Sequence, residues 1–320
     1  MKDALGIAAQ TALETSLALK STETLLIVTD DNKLKIGQAL YSIGKNIAKE
    51  ALLVVMPPAE VNGQEPPESI ADLMKKYNVV VCPTTKSLTH TNARRNACKE
   101  GARVATMPGI TEDCMIRTLK ADYNIIAERT LKVSEILDKG QTVKITTPLG
   151  TDLTMPINGI KAISSTGLIR DQGQGGNLPS GESFLMPEEG KSNGVLYIDA
   201  ALAGIGKITS RPVKVTIRDG YAESIDGGPE ARELFKQLNA FGKPGMNVAE
   251  LGIGTNHEAR ITGMILEDEK AMGTIHVAFG NNISMGGTHG VGIHIDGVVT
   301  KATVFVDDHE LMKDGRLLIG

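Results

Sequence analysis

Thr24-Leu-Leu-Ile-Val-Thr29 is a short, continuous apolar run, and Glu50-Ala-Leu-Leu-Val-Val-Met56 is a second one after a helix-period segment at residues 33–47. Runs that are apolar on both faces are typical of parallel strands buried inside a sheet. The two runs and the segment between them predict a β-α-β unit. This unit requires a parallel sheet that is covered by helices.

The same alternation continues along the chain. Residues 79–82 and 102–106 are predicted strands, and residues 67–76 and 89–100 are predicted helices. Together these elements predict an open, doubly wound α/β domain over residues 1–138. The loop after the first strand, Thr29-Asp-Asp-Asn32, has no glycine-rich phosphate-binding pattern, so nucleotide binding is not expected. We interpret Asp30 and Asp31 as helix N-capping residues.

Glycine and β-branched residues dominate the chain from about Gly140 onward. Residues 142–147 and 152–155 flank Pro148-Leu-Gly-Thr151 and predict a β-hairpin, and a helix is predicted at 229–241. We therefore expect an α+β metal-binding domain over residues 139–320. Residues 167–181 are predicted to form a long polar loop.

Composition and charge limit the partners that we expect. The chain has 320 residues and a formal net charge of -4, so neither nucleic acid nor an anionic membrane is an expected partner. It has no window of about 18 apolar residues and no apolar signal-peptide core, which predicts a cytoplasmic protein. The three cysteines, Cys82, Cys98 and Cys114, argue against a disulfide framework.

The stretch Gly290-Val-Gly-Ile-His-Ile-Asp-Gly297 contains the strongest candidate for chemistry. In a strand, residues i and i+2 point to the same face, so His294 and Asp296 would converge. Three further candidates lie upstream in apolar or glycine-rich settings: Glu182, Glu250 and His276. Two histidines and three carboxylates suit a divalent ion such as zinc, manganese or iron.

Five ordered motifs between about residues 140 and 300 resemble those of the thermophilic aminopeptidase family, also called the aminopeptidase T or leucyl aminopeptidase-like metallopeptidases. The motifs are Gly150-Thr-Asp-Leu153, Asn177-Leu-Pro-Ser-Gly-Glu182, Ala249-Glu-Leu-Gly-Ile-Gly-Thr-Asn256, the segment from Leu266 to Gly280, and Ile293-His-Ile-Asp-Gly297. The N-terminal α/β domain fits the family in architecture only.

The resemblance implies a pair of divalent ions, zinc, cobalt or manganese, which activate a water molecule for hydrolysis of the N-terminal residue of peptides. The implied ligands are Glu182, Glu250, His276, His294 and Asp296. Glu250 would bridge the two ions, and Glu267 or Glu269 would carry the proton to the leaving amine. Arg170 and Asn177 are expected to bind the substrate. The implied protein is a homodimeric aminopeptidase that acts on small peptides or aminoacyl substrates.

Two alternatives remain open. His276, His294 and Asp296 alone form a set of two histidines and one carboxylate that suits a single Fe(II) ion and dioxygen. Ring-cleaving dihydroxypyridine dioxygenases are similar to the aminopeptidase family and use such a site. The aminopeptidases carry a tyrosine shortly after the histidine that corresponds to His276, whereas the last tyrosine here is Tyr221. The second alternative is a non-catalytic metal-binding protein. His257 and His289 are further candidate ligands or proton carriers.

Overall fold

The protein is described by a computed structural model over residues 3–319, and it is a mixed α/β protein with one parallel sheet and two antiparallel sheets. The helices are α1 (Ala4–Gln10), α2 (Leu34–Gly44), α3 (Glu68–Met74), α4 (Asn92–Lys99), α5 (Glu112–Thr118), α6 (Tyr123–Lys139), α7 (Pro229–Asn239), α8 (Gly242–Gly245) and α9 (Ile265–Asp268). A π-helical turn at Thr11–Ser16 and 3-10 turns at Asp31–Lys33 and Ile283–Met285 complete the helical elements in this range.

The strands are β1 (Thr24–Asp30), β2 (Glu50–Met56), β3 (Val79–Thr84), β4 (Arg103–Pro108), β5 (Thr142–Thr146), β6 (Asp152–Pro156), β7 (Ile163–Ser165), β8 (Gly175–Asn177), β9 (Glu182–Leu185), β10 (Asn193–Ile198), β11 (Ala201–Leu202), β12 (Gly206–Lys207), β13 (Val213–Arg218), β14 (Tyr221–Asp226), β15 (Val248–Gly254), β16 (Ile275–Gly280), β17 (His294–Val299), β18 (Thr303–Val306), β19 (His309–Lys313) and β20 (Arg316–Leu317).

The described residues form two compact units, one of residues 3–127 and 165–180 and the other of residues 128–164 and 181–319. The first unit contains the parallel sheet, in the strand order β2-β1-β3-β4-β8. Leu26 and Val28 of β1 pack in a core with residues of α3 and α4, whereas Leu25 faces Gly44 of α2 and Leu13. Helices therefore cover both faces, which confirms the predicted doubly wound fold. The predicted border at residue 138 stays a prediction.

Two local features of the first unit refine the sequence analysis. Asp30 accepts a hydrogen bond from Asn32 N at 3.1 Å, so it caps the turn after β1 as interpreted. Its buried carboxylate also accepts a hydrogen bond from Thr85 Oγ1 at 2.9 Å. The expectation of an unstructured loop at 167–181 was wrong in part, because β8 lies within it and pairs in parallel with β4. Glycine dominates β8, so its sequence lacks the apolar pattern of a strand.

The second unit contains two antiparallel sheets, in the strand orders β14-β13-β10-β6-β5-β18-β19-β20 and β12-β11-β17-β16-β15-β9-β7. Residues of both sheets share one large apolar core with Val133 and Leu137 of α6. The predicted hairpin is present as β5 and β6, and the predicted helix at 229–241 is present as α7. None of the helices in the described part of the chain has the length and apolar character that a bilayer-spanning helix needs.

Candidate metal centre

The strands β9, β15, β16 and β17 place the candidate ligands on one face of the second antiparallel sheet. Asp296 pairs with Ala278 and His294 with Gly280, while His276 pairs with Gly252 in the neighbouring strand. Paired residues in antiparallel strands project to the same face. These three partners are glycine or alanine, and small residues there leave space above the sheet for long polar side chains, although His276 also pairs with Val298 of β17.

The residues between the candidate ligands on the same strands have side chains on the opposite face of the sheet. Leu251, Val277, Phe279 and Ile295 are buried in the apolar core of the second unit. The strict alternation of core residues and candidate ligands follows from the two-residue period of a strand. A shift of register by one residue would turn the ligands into the apolar core and the apolar residues toward the ligand cluster, so packing of the apolar face also determines where the ligands lie.

Glu250 lies at the centre of the cluster. Its Oε1 is 3.2 Å from His276 Nε2, and its Oε2 is 3.4 Å from His294 Nε2. His294 Nε2 is also 3.3 Å from Asp296 Oδ1. Glu250, His294 and Asp296 each offer a ligand atom within 4.8 Å of the others, so these three residues could hold a metal ion.

A second group of possible ligands lies on the other side of His276. Glu182, Glu269 and His276 also offer ligand atoms within 4.8 Å of one another. Glu182 Oε2 is 3.7 Å from His276 Nε2. Lys270 lies in this group as well, with Nζ 2.9 Å from Glu182 Oε1 and in contact with Glu269 Oε1.

The cluster is almost entirely excluded from solvent. His276 and Lys270 have no exposed surface, whereas the side chain of His294 remains 32% exposed. Access to the cluster is therefore greatest at His294. A small molecule that reaches these residues would approach from that side.

Burial and the clustered charges alter the pKa values strongly. Burial lowers the pKa of His276, but the hydrogen bond that its ring donates to Glu250 and the charge of Glu182 outweigh burial and raise that pKa to about 9. Burial also lowers the pKa of His294. The charge of Asp296 makes the largest opposing contribution, and the pKa is raised well above its usual value. Burial raises the pKa of Glu269 to about 8, although the charge of Lys270 opposes the shift. The carboxylates thus stabilise positive charge at both imidazoles.

Two observations show that the residues fit a metal ion: one buried oxygen has no partner, and one histidine ring is held in a metal-binding orientation. Glu182 Oε2 is buried without a hydrogen-bond partner, which is costly unless a cation occupies the space next to it. His294 Nδ1 lies 2.7 Å from Asn281 O. A proton on Nδ1 donates to this carbonyl and leaves the lone pair of Nε2 free, which is the usual orientation of a metal-binding histidine.

Other predicted site residues lie in different surroundings. Glu267 is buried, accepts a hydrogen bond from Arg260 N at 2.8 Å and belongs to neither ligand group. Of the two predicted proton carriers, Glu269 is the one that reaches the cluster. Arg170 and Asn177 belong to the first unit, where Arg170 donates to Thr15 O and Asn177 donates to two threonine hydroxyls. Substrate binding by these two residues stays a prediction.

The remaining histidines of interest have protein partners. His257 Nδ1 lies 3.3 Å from Arg129 Nη1. His289 Nδ1 lies 2.9 Å from Glu189 Oε1, and its Nε2 lies 3.1 Å from the hydroxyl of Tyr221. Neither histidine belongs to a ligand group among the described residues. Both have structural contacts that explain their positions.

A profile of the family described as NicX, 2,5-dihydroxypyridine 5,6-dioxygenase, matches residues 16–319. The chain belongs to this family. A 2,5-dihydroxypyridine 5,6-dioxygenase of Pseudomonas putida is 23% identical over 248 residues, which cover 73% of this chain and 69% of that protein.

Two solved structures share the fold. The 2,5-dihydroxypyridine dioxygenase of Pseudomonas putida KT2440 superposes with a TM-score of 0.86 at 18% identity, over 99% of this chain and 97% of that one. AmpT from Thermus thermophilus superposes with a TM-score of 0.74 at 15% identity, over 99% of both chains. The resemblance to the aminopeptidase T proteins is therefore correct at the level of fold.

The family match corrects the predicted activity. The expectation of a metalloaminopeptidase, and with it of a hydrolase and protease, was wrong, because the family and the curated relative are both described as 2,5-dihydroxypyridine 5,6-dioxygenase. The motifs misled because they occur on a fold that this chain shares with both kinds of protein. A metal cofactor remains in keeping with the family and the ligand groups, whereas nothing in the match supports a pair of zinc, cobalt or manganese ions.

Lys270, Gly252 and Glu189 were not singled out from the sequence. A lysine directly after three acidic residues, in Glu267-Asp-Glu-Lys270, is usually a solvated residue, and only the fold shows that it is buried. The signal that was available is the apolar and glycine-rich segment after it, Ala271-Met-Gly-Thr-Ile-His276, which indicates a buried strand close by.

Proposed function

We propose that this protein is an iron(II)-dependent dioxygenase that opens the ring of a dihydroxylated pyridine. The observation that carries the proposal is the position of Glu250, which faces His276 with one oxygen and His294 with the other, in a chain of the NicX family. Asp296 lies beside His294. Two imidazoles and a carboxylate are the ligand set of non-haem Fe(II) enzymes that use dioxygen. Bound Fe(II) would supply the redox chemistry that lets dioxygen react with an aromatic ring.

In this proposal the residues of the chain bind and orient the reactants. His294 is the ligand nearest to solvent, and its contact with Asn281 O holds its ring with Nε2 toward Glu250 and Asp296. Asp296 and Glu250 are buried, so water screens their charges only weakly. Their interactions with a bound cation or a ring hydroxyl are correspondingly strong. The buried surroundings also limit access of water to the site.

Two carboxyl groups are candidates for handling protons. Burial opposes the ionisation of Glu250, but the hydrogen bonds from His276 and His294 lower its pKa, so it stays ionised and can accept the proton of a ring hydroxyl. Glu269 has a pKa raised to about 8 by burial and holds a proton at neutral pH. The pair thus offers one proton acceptor and one proton donor within one cluster.

The experiment is an oxygen-consumption assay on metal-free protein that has been reloaded with Fe(II) under anaerobic conditions. We expect one dioxygen to be consumed per 2,5-dihydroxypyridine, with loss of the aromatic absorbance and both atoms of labelled dioxygen in the product. A monohydroxylated pyridine is the matched control and should consume no oxygen. Folded, iron-loaded protein that consumes no oxygen with any dihydroxypyridine would overturn the proposal.

A further inference from the structure

Lys270 is a fully buried lysine whose ammonium group lies inside the candidate metal centre. Its Nζ is 2.9 Å from Glu182 Oε1 and also contacts Glu269 Oε1. A buried ammonium needs carboxylate partners, because the loss of its hydration is otherwise very costly. The two partners of Lys270 are carboxylates of the second ligand group, which consists of Glu182, Glu269 and His276.

The two oxygens of Glu182 have different neighbours. Oε1 contacts the ammonium of Lys270, whereas Oε2 faces His276 Nε2 at 3.7 Å and has no hydrogen-bond partner. Glu182 therefore has one free oxygen on the side toward His276 and Glu250. A separate ion between Glu182 and Glu269 would share both carboxylates with the ammonium and would lie next to its fixed positive charge.

The charge of the whole cluster favours one metal ion. Glu182, Glu250, Glu269 and Asp296 contribute four carboxylates. When all four carboxylates are ionised, the ammonium and one divalent ion together neutralise three of their negative charges. One negative charge then remains. A second divalent ion would make the buried set net positive, and a buried net charge without a partner is strongly unfavourable.

We propose that the ammonium of Lys270 takes the position of a second metal ion, so that the cluster binds a single divalent ion between His276, His294 and the free oxygens of the surrounding carboxylates. Lys270 is thus a positioning residue that orients Glu182 and Glu269 and determines metal stoichiometry. The inference rests on the proposed function only in taking the same residues as metal ligands.

The test is a metal titration of the full-length, metal-free protein with Mn²⁺. Wild type is compared with Lys270→Gln and Lys270→Met, and Lys236→Gln, an exposed lysine of α7, is the matched control. Bound Mn²⁺ per chain is measured by elemental mass spectrometry after gel filtration, and electron paramagnetic resonance detects magnetic coupling between neighbouring ions. We expect one uncoupled ion in wild type and in Lys236→Gln, and two coupled ions in both Lys270 variants.

Two bound ions in wild type would overturn the inference, and so would a single ion in a folded Lys270 variant. If both uncharged variants fold only with Mn²⁺ present, the ions bound after folding are counted. Two ions per chain then support the inference, and one ion per chain overturns it. If neither folds, wild type and Lys270→Arg, which keeps the charge, decide: one ion in each supports the inference, and two ions in either overturns it. The titration uses no pyridine and no dioxygen, so its result is independent of whether the dioxygenase activity is found.

Discussion

Gly252 of β15 lies directly opposite His276 of β16, and a Cβ atom at position 252 would fall 2.0 Å from His276 Nε2. The imidazole therefore occupies the space that any other residue at 252 would need. The absence of a side chain allows the ring to lie over the neighbouring strand, where its Nε2 is 3.2 Å from Glu250 Oε1.

The first prediction is that Gly252→Ala weakens metal binding by about 10- to 100-fold, because the methyl group pushes the His276 ring away from Glu250 and Glu182. The affinity for Fe(II) or Mn²⁺ is measured by calorimetric titration. Gly290→Ala is the control, since a Cβ atom there would meet only Ile283 Cγ1 and Cδ1, the nearer at 3.4 Å, which is an ordinary contact. Equal affinities of wild type and Gly252→Ala would show that His276 is not a ligand.

The second prediction concerns Glu250 as a proton acceptor. We expect Glu250→Gln to lower kcat by about 100- to 10,000-fold with dihydroxypyridine, the usual range for loss of a general base. The amide keeps the size of the side chain, so the protein should remain folded and bind iron, which elemental analysis and circular dichroism will verify. Glu233→Gln, on the exposed face of α7, is the control. If kcat is unchanged in iron-loaded Glu250→Gln, another group accepts the proton.

The fold was predictable because buried strands and helix faces carry apolar residues in continuous runs or at regular spacing. Strand β2 has the predicted bounds, and β1, β3 and β4 differ from prediction by a few residues at their ends. The convergence of His294 and Asp296 also followed from strand geometry alone, since residues two apart share a face. By contrast, β8 was missed because its residues, Gly175-Gly-Asn177, pair through the backbone and carry no apolar side chain.

The chemistry was less predictable than the fold because one set of ligands serves more than one reaction. His276, His294 and Asp296 are equally compatible with a hydrolase and an oxygenase. The absence of a tyrosine between His276 and His294 was the residue-level sign that kept the dioxygenase alternative open. The environment of Lys270 depends on the packing of α9 against the sheet and could not be read from local spacing.

The third prediction is that Glu189 stabilises the His289 loop, residues 281–293, in a pH-dependent way. Its carboxylate accepts hydrogen bonds from Thr288 N at 2.7 Å, His289 Nδ1 at 2.9 Å and Asn282 Nδ2 at 2.8 Å. Burial raises the pKa of Glu189, but these hydrogen bonds outweigh it and lower that pKa from 4.5 to about 2. A lowered pKa gives stability that is complete above 4.5 and lost as the pH falls toward 2.

We therefore expect Glu189→Gln to lower the Tm at pH 7, and we expect the difference from wild type to shrink below pH 4.5. Thermal unfolding monitored by circular dichroism between pH 7 and pH 3 measures both effects. Glu188→Gln is the matched control because the side chain of Glu188 pairs with the exposed Lys191. A Tm difference that stays constant down to pH 3 would contradict the assignment.

The fourth prediction concerns the first unit, in which Arg103 and Glu23 form a two-pronged ion pair. The Nη1 and Nη2 atoms of Arg103 lie 2.9 and 2.8 Å from the two carboxylate oxygens of Glu23, and Arg103 Nε donates to Leu17 O at 3.1 Å. The two side chains are 8% and 16% exposed. Removal of one partner from a pair this buried leaves the other charge without compensation.

We expect Glu23→Ala to lower the free energy of unfolding of this unit by about 3 kcal/mol, the lower end of the range for a broken buried pair. Glu112→Ala removes the exposed partner of Lys35 and should change the free energy by no more than about 1 kcal/mol. Urea unfolding of both variants and wild type, monitored by circular dichroism, gives the two differences. Similar losses in the two variants would mean that burial does not strengthen the Arg103–Glu23 pair, because the same charge is removed in each case.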